Sequence, residues 1–478
     1  MSTTIRKSGN RVAPSSASKE TARQFLRALK DADNPLELTE PLAPQDLLFA
    51  FFEADDEQRA DLLALATEEQ FHSMVDLYGW SGWTPSIEKV EELIAPLVAT
   101  GLGGAIRAMD RLTDEMRTLL FRRHLVVHQR EHLDDDAPEV PETSDLIPTA
   151  DGYYFIEIPD AENCPTVVRQ LVDGLLFRPF EEYHRELEAI RWELESSLEE
   201  DALRWRTGRM ADLGFGTYEE GLRLLAPLDP SAVAARLKSR RTTPLLRVDN
   251  ALPALYREKL EGHPLLEGAF SLLATSADPQ WQARAETLPA EIASMTNLFL
   301  SAIRCDLSDL DAVAAGAGMA RDLLALGLSA VGGNGPSDAA NALVHEVPGT
   351  FIQAAMGVLT PLRQRARQLK KSPSLRTVRL DPVYHVALDC LSRDIPVWWP
   401  PLSGPEALSP AFPEPLSDEM TVISSGNDVT AAARMLDELE RLEELFEQPG
   451  WLPADGAAAL LSSVVLTVLA NGGGGAPS

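Results

Sequence analysis

Every 11 or 12 residues in its first quarter, the chain restarts a helix. Leu42-Ala43-Pro44-Gln45-Asp46, Glu53-Ala54-Asp55-Asp56-Glu57 and Leu65-Ala66-Thr67-Glu68-Glu69 each place Pro, Asp or Thr ahead of an apolar turn, the composition of a helix N-terminus. Thr67 with Gln70 has capping-box spacing: the hydroxyl accepts from an orphan first-turn amide while the Gln reaches back to the cap amide. Pro85, after Thr84, sits where a first helical residue tolerates losing its N–H. Helices this short do not stand alone in water and must bury their apolar faces on neighbours. That predicts a solenoid-like short-helix repeat over residues 18–132.

Helical periodicity returns from Pro165 to Met210, from Tyr218 to Arg241, and in Ala/Leu-rich runs over Pro289–Ala330 and Asp338–Leu369. Thr217 with Glu220 is another capping-box spacing. Further helices are expected over Asp381–Cys390, Asp428–Gln448 and Asp455–Ala470, with a proline-rich, non-helical crossing at Pro396–Pro415. Only Gly152-Tyr153-Tyr154-Phe155-Ile156-Glu157-Ile158 reads as a strand, because aromatic and β-branched residues cluster there without helical spacing. Thr377-Val378-Arg379-Leu380 is a candidate pairing partner.

The expected fold is therefore mostly α: an N-terminal short-helix repeat region, a linker with one short strand or hairpin, and a larger C-terminal helical body. The organisation read from composition is a disordered tail at 1–17, a helical repeat-like domain at 18–132 and an acidic linker with the strand at 133–160. A central helical domain follows at 161–375, then a C-terminal helical region at 376–470 packed on it, and a flexible Gly-rich tail at 471–478.

Composition narrows class and compartment. Of 478 residues, 45% are hydrophobic and 24% charged, the range of soluble globular chains. Lys plus Arg number 43 against 73 Asp plus Glu, a net charge of −30 that repels nucleic acid and anionic lipid. Cys164, Cys305 and Cys390 lie far apart without a CxxC pair, so they read as thiols of a reducing cytoplasm. The polar N-terminus lacks the apolar core of a secretory signal. Ala457–Ala470 is too short to span a bilayer. A cytoplasmic location, with no membrane contact, is the expectation.

Three constellations could carry chemistry. His124, His128 and His132 stand at i, i+4, i+8, which on a helix aligns three imidazoles on one face, a weak candidate metal set. Leu125 stands where H-E-x-x-H needs its Glu, and a solvated polar helix end explains the spacing equally. Glu181 and His184 form the E-x-x-H pair of di-iron bundles, but a second pair is missing; Phe180–Asp201 carries nine acids and reads as a solvated acidic face. Arg363, Arg365, Arg367, Lys370, Lys371, Arg376 and Arg379 form a basic stretch, with Arg363, Arg367 and Lys371 on one helix face, and Arg236, Lys238, Arg240, Arg241 and Arg247 a smaller one. Stacking aromatics are missing from both, so pairing with the chain's own acids is favoured over nucleic acid. The glycine runs Gly101–Gly104 and Gly332–Gly335 lack the residues of a phosphate loop and read as turns. Trp80 and Trp83, and Trp398 and Trp399, either close a core at a loop or, if exposed, anchor a partner.

The segments LATEEQFHSMVDLYGW, Pro85–Thr100, AMDRLTDEMRTLLFRRH, GYYFIEI and Arg209–Phe215 leading through TYEEGLRLLAPLDP resemble an uncharacterised bacterial domain-of-unknown-function family of large, mostly helical cytosolic proteins. The resemblance implies a fold and no chemistry. With no nucleophile, cofactor loop or complete ligand set, the expected function is a non-enzymatic protein–protein interaction or scaffold protein without a cofactor. Its partner surface is expected at Trp398, Trp399, Arg363, Arg367 and Lys371. A metal-dependent enzyme using His124, His128 and His132 is the first alternative, and a nucleic-acid regulator acting through residues 363–379 the second.

Overall fold

The computed structural model describes residues 16–132, 136–239, 252–333, 335–376, 382–398 and 421–446. The first part runs α1 (Ser16–Asp31), α2 (Leu36–Thr39), α3 (Pro44–Glu53), α4 (Asp56–Leu65), α5 (Glu68–Tyr78), β1 (Trp80–Ser81), β2 (Thr84–Pro85), α6 (Ile87–Val98), α7 (Leu102–Arg111) and α8 (Asp114–His124). There follow β3 (Val126–Gln129), β4 (Asp145–Pro148), β5 (Tyr154–Ile158), α9 (Thr166–Leu176), α10 (Phe180–Trp192), α11 (Glu195–Asp212), α12 (Tyr218–Leu224) and α13 (Pro230–Lys238). The remainder is α14 (Ala254–Glu261), α15 (Pro264–Thr275), α16 (Pro279–Ala302), α17 (Leu310–Ala330), α18 (Pro336–His345), α19 (Pro348–Leu369), α20 (Pro373–Arg376), α21 (Pro382–Leu391), β6 (Val397–Trp398), β7 (Thr421–Val422) and α22 (Gly426–Phe446). The protein is mostly α.

The local signals that start these helices are visible as hydrogen bonds. Capping boxes close at Asp55 with Gln58, Thr67 with Gln70 and Thr217 with Glu220. Gln70 also donates through Nε2 to the carbonyls of Thr39 and Leu42, each at 2.9 Å, so one side chain caps α5 and ties it to the turn before α3. Pro85 does not open a helix. Gly82, at φ 66°, turns the chain so that Thr84–Pro85 pairs antiparallel with Trp80–Ser81, and α6 begins only at Ile87.

The strand at 154–158 has two partners, both nearby in sequence. β3 and β4 flank β5 in an antiparallel sheet, with Val127 and Ile147 opposite Ile156. Both edges of β5 are filled by these strands; Thr377–Leu380, the candidate partner, lies outside the described residues. β5 is buried at all five of its positions, whereas residues 136–144 ahead of the sheet form neither helix nor strand and are mostly exposed. Tyr154, Ile156 and Ile158 enter a core that also holds Leu63, Phe71 and Phe121 before the sheet and Leu171, Leu187 and Met210 after it.

A second core gathers Leu224, Phe299, Leu324, Phe351, Leu359, Leu388, Trp398 and Leu436. Residues of the first core run to Phe215 and recur at Leu255, Tyr256, Leu300, Val313, Ala314 and Ala317, while those of the second begin at Leu224. The tails at 1–15 and 447–478, including the expected helix Asp455–Ala470, lie outside the described residues.

Helix α17 joins the two cores: Val313, Ala314 and Ala317 enter the first, Ala320 to Leu328 the second. It is the one described helix with the length and hydropathy of a membrane span, and 67% of that window is buried inside the protein. Its packing on α19 is a backbone contact. A Cβ at Gly327 would lie 1.8 Å from the Phe351 carbonyl oxygen, so only glycine permits the approach. Gly327→Ala is expected to lower stability by about 2 kcal/mol or more. Gly318→Ala, whose methyl meets open space, is expected to hold or raise it by up to about 1 kcal/mol; urea unfolding of the two variants checks the pair.

The N-terminal helices also complete a helix of the second half. Pro253 at the N-cap of α14 makes no side-chain cap bond. The cap comes instead from Asp46 on α3, whose two oxygens accept the Ala254 amide at 2.8 and 3.0 Å. Burial pushes the Asp46 carboxyl up to about 6, against the smaller pull of the Ala254 amide and Arg257. The folded chain therefore holds this proton more tightly than the unfolded one. Its contribution to stability falls as pH rises from about 4 to about 6 and is flat above. Asp46→Asn is expected to flatten that limb, seen as a difference between variant and wild-type unfolding midpoints across this window.

Candidate functional site

The three histidines do not share a helix face. α8 ends at His124, Leu125 is extended at φ −121° and ψ 146°, and the β-branched pair Val126-Val127 enters β3. His128 lies on that strand and His132 in the bend beyond it. His124 Nε2 pairs with Glu91 on α6. His128 Nε2 lies 2.7 Å from Glu157 Oε2, and Ser144 Oγ donates to Glu157 Oε1 at 2.8 Å. Here the carboxylate stands between serine and histidine, so the imidazole does not reach the hydroxyl as an activating base must. The trio is a clasp on the outer face of the sheet. Among the described residues no group of three or more His, Cys, Asp or Glu is placed to hold a metal ion.

The basic stretch at the end of α19 is engaged within the chain. Arg363 donates to the Asp394 carbonyl at 2.7 Å; Arg367 reaches the Ser392 carbonyl and Asp394 Oδ1 at 2.8 and 2.9 Å. Arg365 holds Glu440 at 2.7 and 2.8 Å and also Asp437, while Lys370 pairs with Asp389 at 2.6 Å. These contacts clamp α19 to the end of α21 and to α22. Lys371 is exposed. Arg379, and Arg240, Arg241 and Arg247 of the smaller island, lie outside the described residues.

Trp398 is buried in the second core and is no surface anchor, because its strand pairs with β7 and packs on α21; Trp399 lies outside the described residues. Trp80 is buried and Trp83 exposed. Gly101 is the N-cap of α7 and Gly332 follows α17, both with positive φ, so the glycine runs are helix boundaries.

The E-x-x-H helix, α10, is polar on its buried side. His184 packs edge-on to Tyr154, with ring centroids 4.6 Å apart, and lies 4.8 Å from the Phe180 ring. Tyr154 donates to Glu188 and Tyr183 to Asp151, the latter at 2.9 Å. Burial is the largest influence on both carboxyls and raises them. Glu188 is nevertheless held low by Tyr154, Arg191 and Trp192, and Asp151 by Thr149, the Tyr153 amide and Tyr183. Burial and these carboxylates push both phenols up, Tyr183 to about 12. Carboxylates locked ionised beside phenols locked neutral are the reverse of a poised acid–base pair.

Nor is this helix a fully solvated acidic face. Glu186 is buried, accepting Arg117 Nε at 2.7 Å and the Thr118 hydroxyl at 3.2 Å. Arg117 also reaches Asp114 and the carbonyls of Met109 and Leu112.

What sequence reading missed is on the outer side of the same helices. Trp192 at the end of α10 is 69% exposed and Leu194 at the start of α11 is 70% exposed, with Trp205 at 51% farther along. The Trp192 indole N–H donates to Glu188 Oε2 at 2.8 Å, and the Arg191 guanidinium carbon lies 4.9 Å from its ring centroid. The signal was available: Tyr183, Leu187 and Ile190 form the buried stripe of α10 and Leu198 and Ala202 that of α11, and Trp192 and Leu194 fall off both.

A sequence model described as a family of unknown function, DUF6178, matches residues 12–472. The chain belongs to that family. Searches of curated proteins and of solved structures found no match.

The match spans both cores of this DUF6178 chain, the polar side of α10 and the tryptophan side together. Glu186→Ala in the DUF6178 fold leaves the Arg117 guanidinium buried without its main partner and is expected to cost about 3–5 kcal/mol. Replacing both partners with Met and Leu is expected to recover most of that loss. Denaturant midpoints of the single and double variants measure the difference.

Proposed function

We propose that this DUF6178 protein is a non-enzymatic interaction protein of the cytoplasm, a scaffold that holds a protein partner at the outer side of α10 and α11. The observation that carries this reading is Trp192: a large aromatic side chain, mostly exposed, yet fixed by a hydrogen bond from its indole and by a stacked guanidinium. An anchor already ordered in the free protein loses little side-chain entropy on binding, and exposed tryptophans are the side chains most often central to protein interfaces.

The competing chemistries draw no such support. The tyrosine–carboxylate clusters are locked in single protonation states. Four of the seven cations of the 363–379 stretch, Arg363, Arg365, Arg367 and Lys370, are occupied by the chain's own oxygens, which takes most of its charge from the nucleic-acid reading.

A photo-reactive benzoylphenylalanine at position 194, irradiated in the cells that make the protein, is expected to yield a discrete adduct with a second protein. Adding Trp192→Ala is expected to abolish it. No adduct, or one indifferent to Trp192, overturns the reading.

A further inference from the structure

We infer that the α10–α11 corner docks a basic amphipathic helix of its partner, an inference that rests on the interaction reading above and adds the partner's chemistry. The shape of the surface is a strip along α11. Leu194 stands at its start. Asp201, seven residues on, returns to the same face after two turns, and Trp205, eleven residues on, after three, about 16 Å from Leu194. Trp83 rises beside the far end, where Arg206 Nη1 donates to the Gly82 carbonyl at 3.2 Å. Apolar anchors thus occur at both ends of a strip whose middle is acidic, a spacing that matches apolar residues at i and i+11 on a docked helix.

The charge selects the partner's sign. Glu193, between Trp192 and Leu194, has its carboxyl raised, first by burial and then by the crowding of Glu186, Glu115, Asp114 and Asp201. Arg117 answers Glu186 and Asp114 from within, and Arg204 lies 3.3 Å from Asp201. Glu193, Glu195 and Glu200 are exposed beside Trp192 and along the start of α11, an acidic stretch that lysine and arginine side chains complement.

The other occupants fit less well. A second copy brings its own net charge of −30, with its α19 cations already paired. Nucleic acid and anionic lipid carry the wrong sign. A cationic helix with one apolar face satisfies both the anchors and the acids.

The test uses the full chain and three fluorescein-labelled peptides of about 18 residues: a Leu/Lys amphipathic helix, its Leu/Glu counterpart, and a scrambled Leu/Lys sequence without an apolar face. Anisotropy is read at about 0.15 M salt, where loose charge attraction is screened. The Leu/Lys helix is expected to bind at least about tenfold tighter than either control. Trp192→Ala with Leu194→Ala, both exposed and so compatible with the fold, is expected to weaken it by about tenfold or more, with unchanged circular dichroism. Glu193→Gln with Asp201→Asn is expected to weaken it several-fold.

Equal binding of the scrambled peptide, binding indifferent to Trp192 and Leu194, or no binding overturns the inference. A Leu/Glu helix that binds through Trp192 also overturns it, yet leaves the interaction reading standing. Absence of the photo-adduct at position 194 in the chain with Trp192 intact removes that reading itself.

Discussion

At Gly327 the backbone of α17 lies so near the Phe351 carbonyl that no side chain fits between the two helices, and the arrangement of both cores follows from that approach. Because α17 and α19 meet backbone to backbone, the leucines beside the contact, Leu323, Leu324, Leu326 and Leu328, spread into the surrounding helices and are all buried. The other end of α17 carries Val313, Ala314 and Ala317 into the N-terminal core. α17 thereby reaches into both cores, as do α14 through Leu255 and Leu260 and α16 through Leu300 and Phe299. The length and apolarity of α17, which elsewhere suit a bilayer, are used here on two protein interiors.

Charges placed inside these cores act as locators. Arg284 on α16 is 1% exposed, forms an ion pair with Glu291 one helical stretch later, and reaches the carbonyls of Leu343 and Glu346. Arg117 does the same between α8 and α10. Such pairs gain little net stability, because desolvation consumes most of the attraction. They penalise a misplaced helix heavily, since any shift strands an ionised group in apolar surroundings. In α10 the result is a helix fixed on its buried side, which gives the exposed Trp192 a rigid base.

The sequence made local features legible. Capping boxes at Thr67 and Thr217 were readable because donor and acceptor lie three residues apart, and β5 because its aromatic and β-branched residues break helical spacing. Features that depend on distant pairing were not. The spacing of His124, His128 and His132 mimicked a helix face, although Val126 and Val127 between them belong to a strand whose partner lies about thirty residues downstream. Trp398, beside prolines, read either as closing a core at a loop or, if exposed, as an anchor, and its burial comes with the pairing of its strand to β7. Trp192 was hidden among acids, and its exposure becomes visible only once the buried stripes of α10 and α11 are known. The acids and bases of Phe180–Asp201 and Arg363–Lys371 showed charge, but not which charges have partners inside the fold.

The cap that Asp46 supplies to α14 has a meaning for how the chain is made. Its donor and acceptor are 208 residues apart, so in an unfolded full-length chain the bond closes a very large loop and forms late. On the ribosome the order is reversed: residues are delivered N-terminus first, and domains fold as they emerge. α3 is already built when Pro253 and Ala254 appear, and α14 grows onto a waiting carboxylate. The connection joining the two halves is therefore one that vectorial synthesis favours and refolding from denaturant does not.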